Sequence, residues 1–197
     1  MADGAAAEDA TAEDARMRAD DGRSRPHDIV VSIINYRTAE MTLDCVRSAL
    51  ADAGDLDVHV VVVDNRSDDG SAEAIEAWIA AQVPPVPVTL ARSATNSGYS
   101  GGHNQGIGVR QARTYMILNS DALIRPGAFA ALLAALAARP RLGIVGPRLE
   151  DLDGTPQRSC FRFPGPLSEL ARGAKLSVVS RLLARWETAL PVTPAPA

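Results

Sequence analysis

The stretch Val58-His59-Val60-Val61-Val62-Val63-Asp64-Asn65-Arg66-Ser67-Asp68-Asp69-Gly70-Ser71 decides the fold. A β-branched run without polar alternation reads as a strand buried on both faces, which belongs to a parallel sheet covered by helices. The run stops at Asp64, and the Asp/Asn/Ser/Gly cluster behind it has the chemistry of a turn. Ser71 then caps a helix that packs through Ile75, Trp78 and Ile79.

The same unit recurs on both sides. Upstream, Ile29 to Ile34 is a buried strand ending in Asn35-Tyr36-Arg37, and Thr38 caps a helix with Met41, Val46 and Leu50 on its packed side. Downstream, Pro84, Pro85 and Pro87 break the chain before a short strand, Val88 to Ala91. A glycine-rich loop, Asn96 to Gly102, feeds a helix ending near Arg113, and Tyr115 to Leu118 forms a fourth strand. Pro126 stands where the first helical position of an Ala/Leu run to Ala138 would fall. Gly143 to Gly146 starts a fifth strand, and Asp153-Gly154 signals a hairpin returning near Gln157 to Phe163. This alternation predicts an α/β fold: a Rossmann-like, mostly parallel sheet with helices on both faces. Ligands of such sheets bind beyond the carboxyl ends of the strands.

Composition bounds the partners. The chain has 197 residues, is 46% hydrophobic and 4% aromatic, and carries a formal net charge of -4. Most of that charge lies in residues 1–27, an Ala, Asp, Glu and Arg tail read as disordered. A near-neutral body without a basic run excludes nucleic acid as the main partner. Cys45 and Cys160 are far apart and form no zinc pattern, which with the acidic N-terminus predicts a reduced, cytoplasmic setting. The best apolar run, Ala128 to Ala138, is far short of the roughly 20 residues that span a bilayer.

Three strands end in polar clusters that the topology brings to one sheet edge. Asp64 can accept hydrogen bonds from a ring N–H or a ribose hydroxyl, or it can shape the turn together with Asn65. Tyr36 can stack on a base. Asn119-Ser120-Asp121 has the spacing of a D-x-D metal site with Asn first, able to hold Mg²⁺ or Mn²⁺ against a diphosphate. It equally makes an Asx turn. In Asn96 to Gly106, the glycines permit close backbone approach at a helix start that attracts anions. His103 there either meets a phosphate or is a helix residue without a ligand. The segment is neither a G-x-G-x-x-G fingerprint nor a P-loop. No G-x-S-x-G elbow occurs, and no histidine has an evident Ser or Cys partner, so hydrolase chemistry falls away.

Val30 to Tyr36, Val63 to Ser71, Asn96 to Ile107 and Leu118 to Asp121, in that order, resemble the motifs of family 2 glycosyltransferases, in particular the bacterial rhamnosyltransferase-like branch. The likeness runs from about Ile29 to about Pro166. It implies a GT-A fold over residues 28–166 and a nucleoside-diphosphate sugar donor, transferred with inversion to a cell-envelope glycan or lipid-linked acceptor. It implies that Asn35, Tyr36, Asp64, Asn65, Gly98, Gly101, Asn104, Asn119, Ser120 and Asp121 contact the donor, and that Asp121 is the metal ligand. The general base of such enzymes comes from an acceptor half, and no acidic pair of that kind follows Pro166; the expectation is a C-terminally truncated chain with no nominated base. Residues 167–197 read as an amphipathic helix, Leu167 to Trp186, and a Pro-rich tail. That helix covers the domain, or lies on the inner face of a membrane through Arg172, Lys175, Arg181 and Arg185. An unfinished sheet would be marginally stable or oligomeric. Two functions follow: a sugar transferase, or an inactive sugar-nucleotide-binding module. A nucleotidyltransferase-like protein ranks lower, since no basic activation motif stands near the first strand.

Overall fold

The computed structural model describes residues 26–83, 86–157, 159 and 165. The tail up to residue 25, most of the expected return strand and the helix 167–186 lie outside the described residues. The chain divides into two units, Met1–Ala131 and Leu132–Ala197.

The first unit is built on four parallel strands, β1 (His27–Asn35), β2 (Val58–Asp64), β3 (Val88–Arg92) and β4 (Ala112–Asn119), in the order β3-β2-β1-β4. The α/β class expected from the sequence is the class observed. The register sets Ile29 opposite Val58 and Asn35 opposite Asp64, and Ile34 opposite Asn119. The polar residues that close β1, β2 and β4 therefore share one edge. Because side chains alternate across a strand, Val30, Ser32 and Ile34 share a face with Val61 and Val63.

Each face has its own helix. Helix α1 (Ala39–Asp52) buries Thr42, Cys45, Val46 and Ala49, positions spaced as one helical stripe. Thr42 reaches Asn35, which places α1 on the Asn35 face. Helix α2 (Ser71–Ala80) buries Ile75. Helix α3 (Gly98–Val109) lies on the opposite face, where Val109 joins Val30, Val61, Val63 and Ala91 in one apolar cluster. Val30, Val31, Ile33 and Val60 through Val63 have no exposed surface. At about 1.5–3 kcal/mol per large buried apolar side chain, this valine sheet dominates the stability of the unit. Helix α4 (Ala128–Ala137) starts on a remote cap: the Asp52 carboxylate accepts from the backbone N–H of Gly127 and Phe129.

Four expectations change. Met41 is exposed, and Thr42 and Cys45 take the buried stripe instead. Thr38 makes no side-chain cap bond; its hydroxyl turns back to donate to the Asn35 side-chain oxygen at 3.4 Å. Likewise Ser71 is the first residue of α2 and not its cap; Gly70 stands at the N-cap, and Asp69 accepts from the Ser71 N–H at 3.0 Å. The glycine-rich segment is not a loop before α3 but its first turns, and the helix ends at Val109 because β4 begins at Ala112. A Cβ on Gly102 would stand 2.9 Å from Ile34 Cδ1, and one on Gly106 2.4 Å from Ser32 Oγ. Packing against the sheet thus overrides poor helix propensity.

In the second unit, no strand forms at Gly143 to Gly146 among the described residues. Two glycines and Pro147 give that segment weak β propensity, and Ile144 is 86% exposed. The hairpin turn is present: Asp151 N–H donates to Thr155 O, Gln157 N–H to Leu149 O, and Glu150 bridges Pro156 in antiparallel fashion.

Candidate functional site

The carboxyl edge of the sheet is held by a polar knot. Asn35, wholly buried, donates through Nδ2 to Asp64 Oδ1 at 2.7 Å and to Ser67 Oγ at 3.1 Å. Its Oδ1 accepts from Thr42 Oγ1 at 3.0 Å and from Thr38. Asp64 accepts in addition from the Ser67 N–H and hydroxyl. Arg37 donates its backbone N–H to Ser67 Oγ and its Nε–H to Ser67 O. Satisfied buried networks of this kind fix loop conformation. The conformation needs fixing, since Arg37, Arg66 and Asp68 all have left-handed backbones, with φ of 61°, 58° and 51°. Each such residue costs on the order of 1 kcal/mol, and they cluster where function imposes the shape.

Asn65 ties this knot to α3. Its Nδ2 donates to Asn96 Oδ1 and Gly98 O, while its Oδ1 accepts from the Ser97 N–H. Asp64 and Asn65 are 5% and 3% exposed.

Beside the knot, over the ends of β1 and β4, lies a cleft of about 280 Å³. Ile34, Tyr36, Thr38 and Met41 form one side, Leu118, Asn119, Ser120 and Asp121 another, and Tyr99 and His103 of α3 complete it. Of the residues expected to contact a donor, Tyr36, Asn119, Ser120 and Asp121 line this cleft. Asn35, Asp64, Asn65, Gly98, Gly101 and Asn104 do not; the first three hold its loops. Gly101 is confined by Ser97, 2.6 Å from where its Cβ would lie. Asp64 connects to Ser120 through Asn35 and the Thr38 hydroxyl, itself 3.4 Å from Ser120 Oγ.

Of the Asn119-Ser120-Asp121 segment, Ser120 meets the Thr38 hydroxyl and Asp121 keeps its side chain available. The turn there is closed by backbone, Ala122 N–H to Asn119 O. Cys45 pins it from below, its thiol donating to Asn119 O at 3.3 Å. Burial, with the nearby Asp121 charge, pushes the Cys45 thiol up to about 12. Asp121 is exposed and has no hydrogen-bond or ion-pair partner among the described residues. It is the one carboxylate among the described residues that line the cleft. Among the described residues no three acidic, His or Cys side chains converge on a metal-sized site. That donor set suits Mg²⁺ or Mn²⁺, which bind proteins through one or two carboxylates and take further oxygens from substrate phosphates.

Tyr99 and His103 were not anticipated as a pair. Tyr99 Oη donates to Asn119 Oδ1 at 2.9 Å, and its ring meets the His103 ring edge-on, centroids 4.5 Å apart. Their four-residue spacing puts them on one helix face, a signal readable only once the helix is started at Gly98. Burial pushes the His103 imidazole below its ordinary value of 6.5.

Residues 28–174 match the family described as Glycosyl transferase family 2. The chain belongs to that family. The family 2 chain is 34% identical over 152 residues to the succinoglycan biosynthesis protein ExoO of Rhizobium meliloti (strain 1021), covering 77% of the chain and 40% of ExoO. It thus spans about two fifths of the length of that curated relative. Among solved structures, S. aureus TarS 1-349 aligns with a TM-score of 0.49 at 16% identity, over 61% of this chain and 38% of TarS. The mannosyltransferase PcManGT of Pyrobaculum calidifontis, in complex with GDP-Man and Mn2+, aligns with a TM-score of 0.49 at 20% identity, over 76% of this chain and 39% of the other. No described helix is long and apolar enough to cross a membrane.

Proposed function

We propose that this chain is the donor-binding part of an inverting glycosyltransferase that moves a hexose or deoxyhexose, rhamnose included, from a nucleoside-diphosphate sugar to a cell-envelope glycan or lipid-linked acceptor. The observation that carries this reading is the unpaired Asp121 carboxylate beside Ser120 and Asn119, at the carboxyl edge of the sheet and in one cleft with Tyr36. Asp121 would hold Mg²⁺ or Mn²⁺, which when bound neutralises charge on a departing nucleoside diphosphate. Tyr36, 43% exposed, offers a face for the base. Asn35, Asp64 and Asn65 act by holding the loops that carry Tyr36 and the α3 start. The likeness to ExoO supports a polysaccharide acceptor. The setting we propose is cytoplasmic, at the inner face of the membrane.

A second reading is a module that binds a sugar nucleotide without turnover. It is favoured by the absence, among the described residues, of a second carboxylate lining the cleft to deprotonate an acceptor. Nucleoside diphosphate release from a sugar-nucleotide panel, with and without Mn²⁺, separates the two. Release that needs metal supports the transferase. Binding without release supports the module, and neither binding nor release sinks both.

A further inference from the structure

Among the described residues one buried side-chain polar atom goes unused, and it belongs to a residue that lines the cleft. His103 is 4% exposed, and its Nε2 is buried without a hydrogen-bond partner among the described residues. Its Nδ1 lies 2.9 Å from Ser32 Oγ. Ser32 is wholly buried in β1, and this imidazole is the partner its hydroxyl has among the described residues. A buried hydroxyl places its proton on an acceptor. Ser32 therefore donates to Nδ1, and this network assigns the proton of the neutral ring to Nε2. The unused atom is an N–H donor. The Tyr99 ring packs edge-on against this imidazole, centroids 4.5 Å apart, and Tyr99 is 57% exposed in the first turn of α3, beside Gly98 with φ of +71°.

Resting on the donor-binding reading above, we propose that His103 Nε2–H donates a hydrogen bond to the diphosphate of the bound nucleotide, reached when Tyr99 turns aside. A phosphate oxygen only accepts and this nitrogen only donates, whereas a sugar hydroxyl would also need an acceptor. The first turn of α3 adds the partial positive charge of a helix start on the same side of the cleft. Burial keeps the ring neutral, so it binds phosphate without repelling a cation on Asp121. Ser32 is a positioning residue, acting through the tautomer that it selects.

The test is ¹⁵N-detected titration of the full chain, reading the His103 ring nitrogens and the backbone amides of Tyr36 and Asp121. The probes are UDP, GDP, dTDP, inorganic pyrophosphate and uridine, each with Mg²⁺. The free protein should show the proton on Nε2. UDP, GDP, dTDP or pyrophosphate should move that N–H downfield, and uridine should not. His103→Leu should weaken diphosphate binding on the order of 10- to 100-fold, as expected for a hydrogen bond to a charged group. His103→Gln, with an amide N–H near the same place, should retain most of it. A proton found on Nδ1, an equal response to uridine, or Tyr36 and Asp121 shifts without one at His103 would overturn this inference and leave the donor-site reading standing. No cleft response to any of the four phosphates would overturn that reading and this inference with it.

Discussion

Gly106→Ala puts a methyl carbon 2.4 Å from Ser32 Oγ, 3.3 Å from Ser32 Cβ and 3.1 Å from Val63 Cγ2. Neither neighbour is the free end of a long side chain. Ser32 escapes only by turning its hydroxyl away from His103, or α3 lifts off β1. Alanine gains about 1 kcal/mol of helix propensity over glycine. Against that stand about 1–3 kcal/mol of overpacking and about 1–3 kcal/mol for the buried polar atoms left unpaired. The expected balance is a loss of about 2–3 kcal/mol. A urea midpoint should fall by about 1 M, given the usual slope for a small domain. Gly108→Ala is the internal control: the same helix, but nothing within 4 Å of its Cβ. It should stabilise by about 0.5–1 kcal/mol. Adding Ser32→Ala removes the 2.4 Å contact, so the double variant should be more stable than the two single losses predict by about 1 kcal/mol or more. If Gly106→Ala and Gly108→Ala move the midpoint alike, glycine is not required for close helix–sheet approach.

Asp121→Asn should abolish the Mg²⁺-dependent part of UDP affinity while moving the denaturation midpoint by less than about 0.5 kcal/mol, because Asp121 is exposed and unpaired; titration calorimetry with and without metal checks it. Asn35→Ala should cost about 3 kcal/mol in urea unfolding, since it removes one donor from Asp64 and Ser67 and the buried acceptor of Thr42 and Thr38 together. With the Cys160→Ser substitution present, native Cys45 should resist a thiol reagent at pH 8 and react once urea unfolds the chain, as its thiol is held near about 12; fast native labelling contradicts this. The His103 imidazole titrates below 6.5 when folded. The unfolded chain therefore takes up its proton first as pH falls through about 6.5, and stability is lost on acidification. His103→Gln should flatten that fall, measured by melts between pH 7.5 and pH 5.

The sheet was legible because valine and isoleucine runs have one good explanation, and their polar ends marked the edge where the cleft lies. What the sequence hid were roles that depend on direction. Asp64 and Asn65 look like ligand-binding residues by type; their hydrogen bonds to Asn35, Ser67 and the start of α3 show only once the register sets Asn35 beside Asp64. The glycines of Gly98 to Gly106 favour a loop by local propensity, and the contact with Ser32 and Ile34 that makes them helical is far away in sequence. Starting that helix late concealed the pairing of Tyr99 with His103 on one helix face. The strand expected at Gly143 failed for a related reason, since a strand exists through its partner.

The knot at the sheet edge has a consequence for how such a cleft can change. Its foundation, Asn35, Asp64, Ser67 and Asn65, is hydrogen-bonded inward and does not touch the cleft space. Its lining, Tyr36, Met41 and Tyr99, is exposed. Substitutions at the lining can therefore reshape the cleft while the foundation keeps the loops in place.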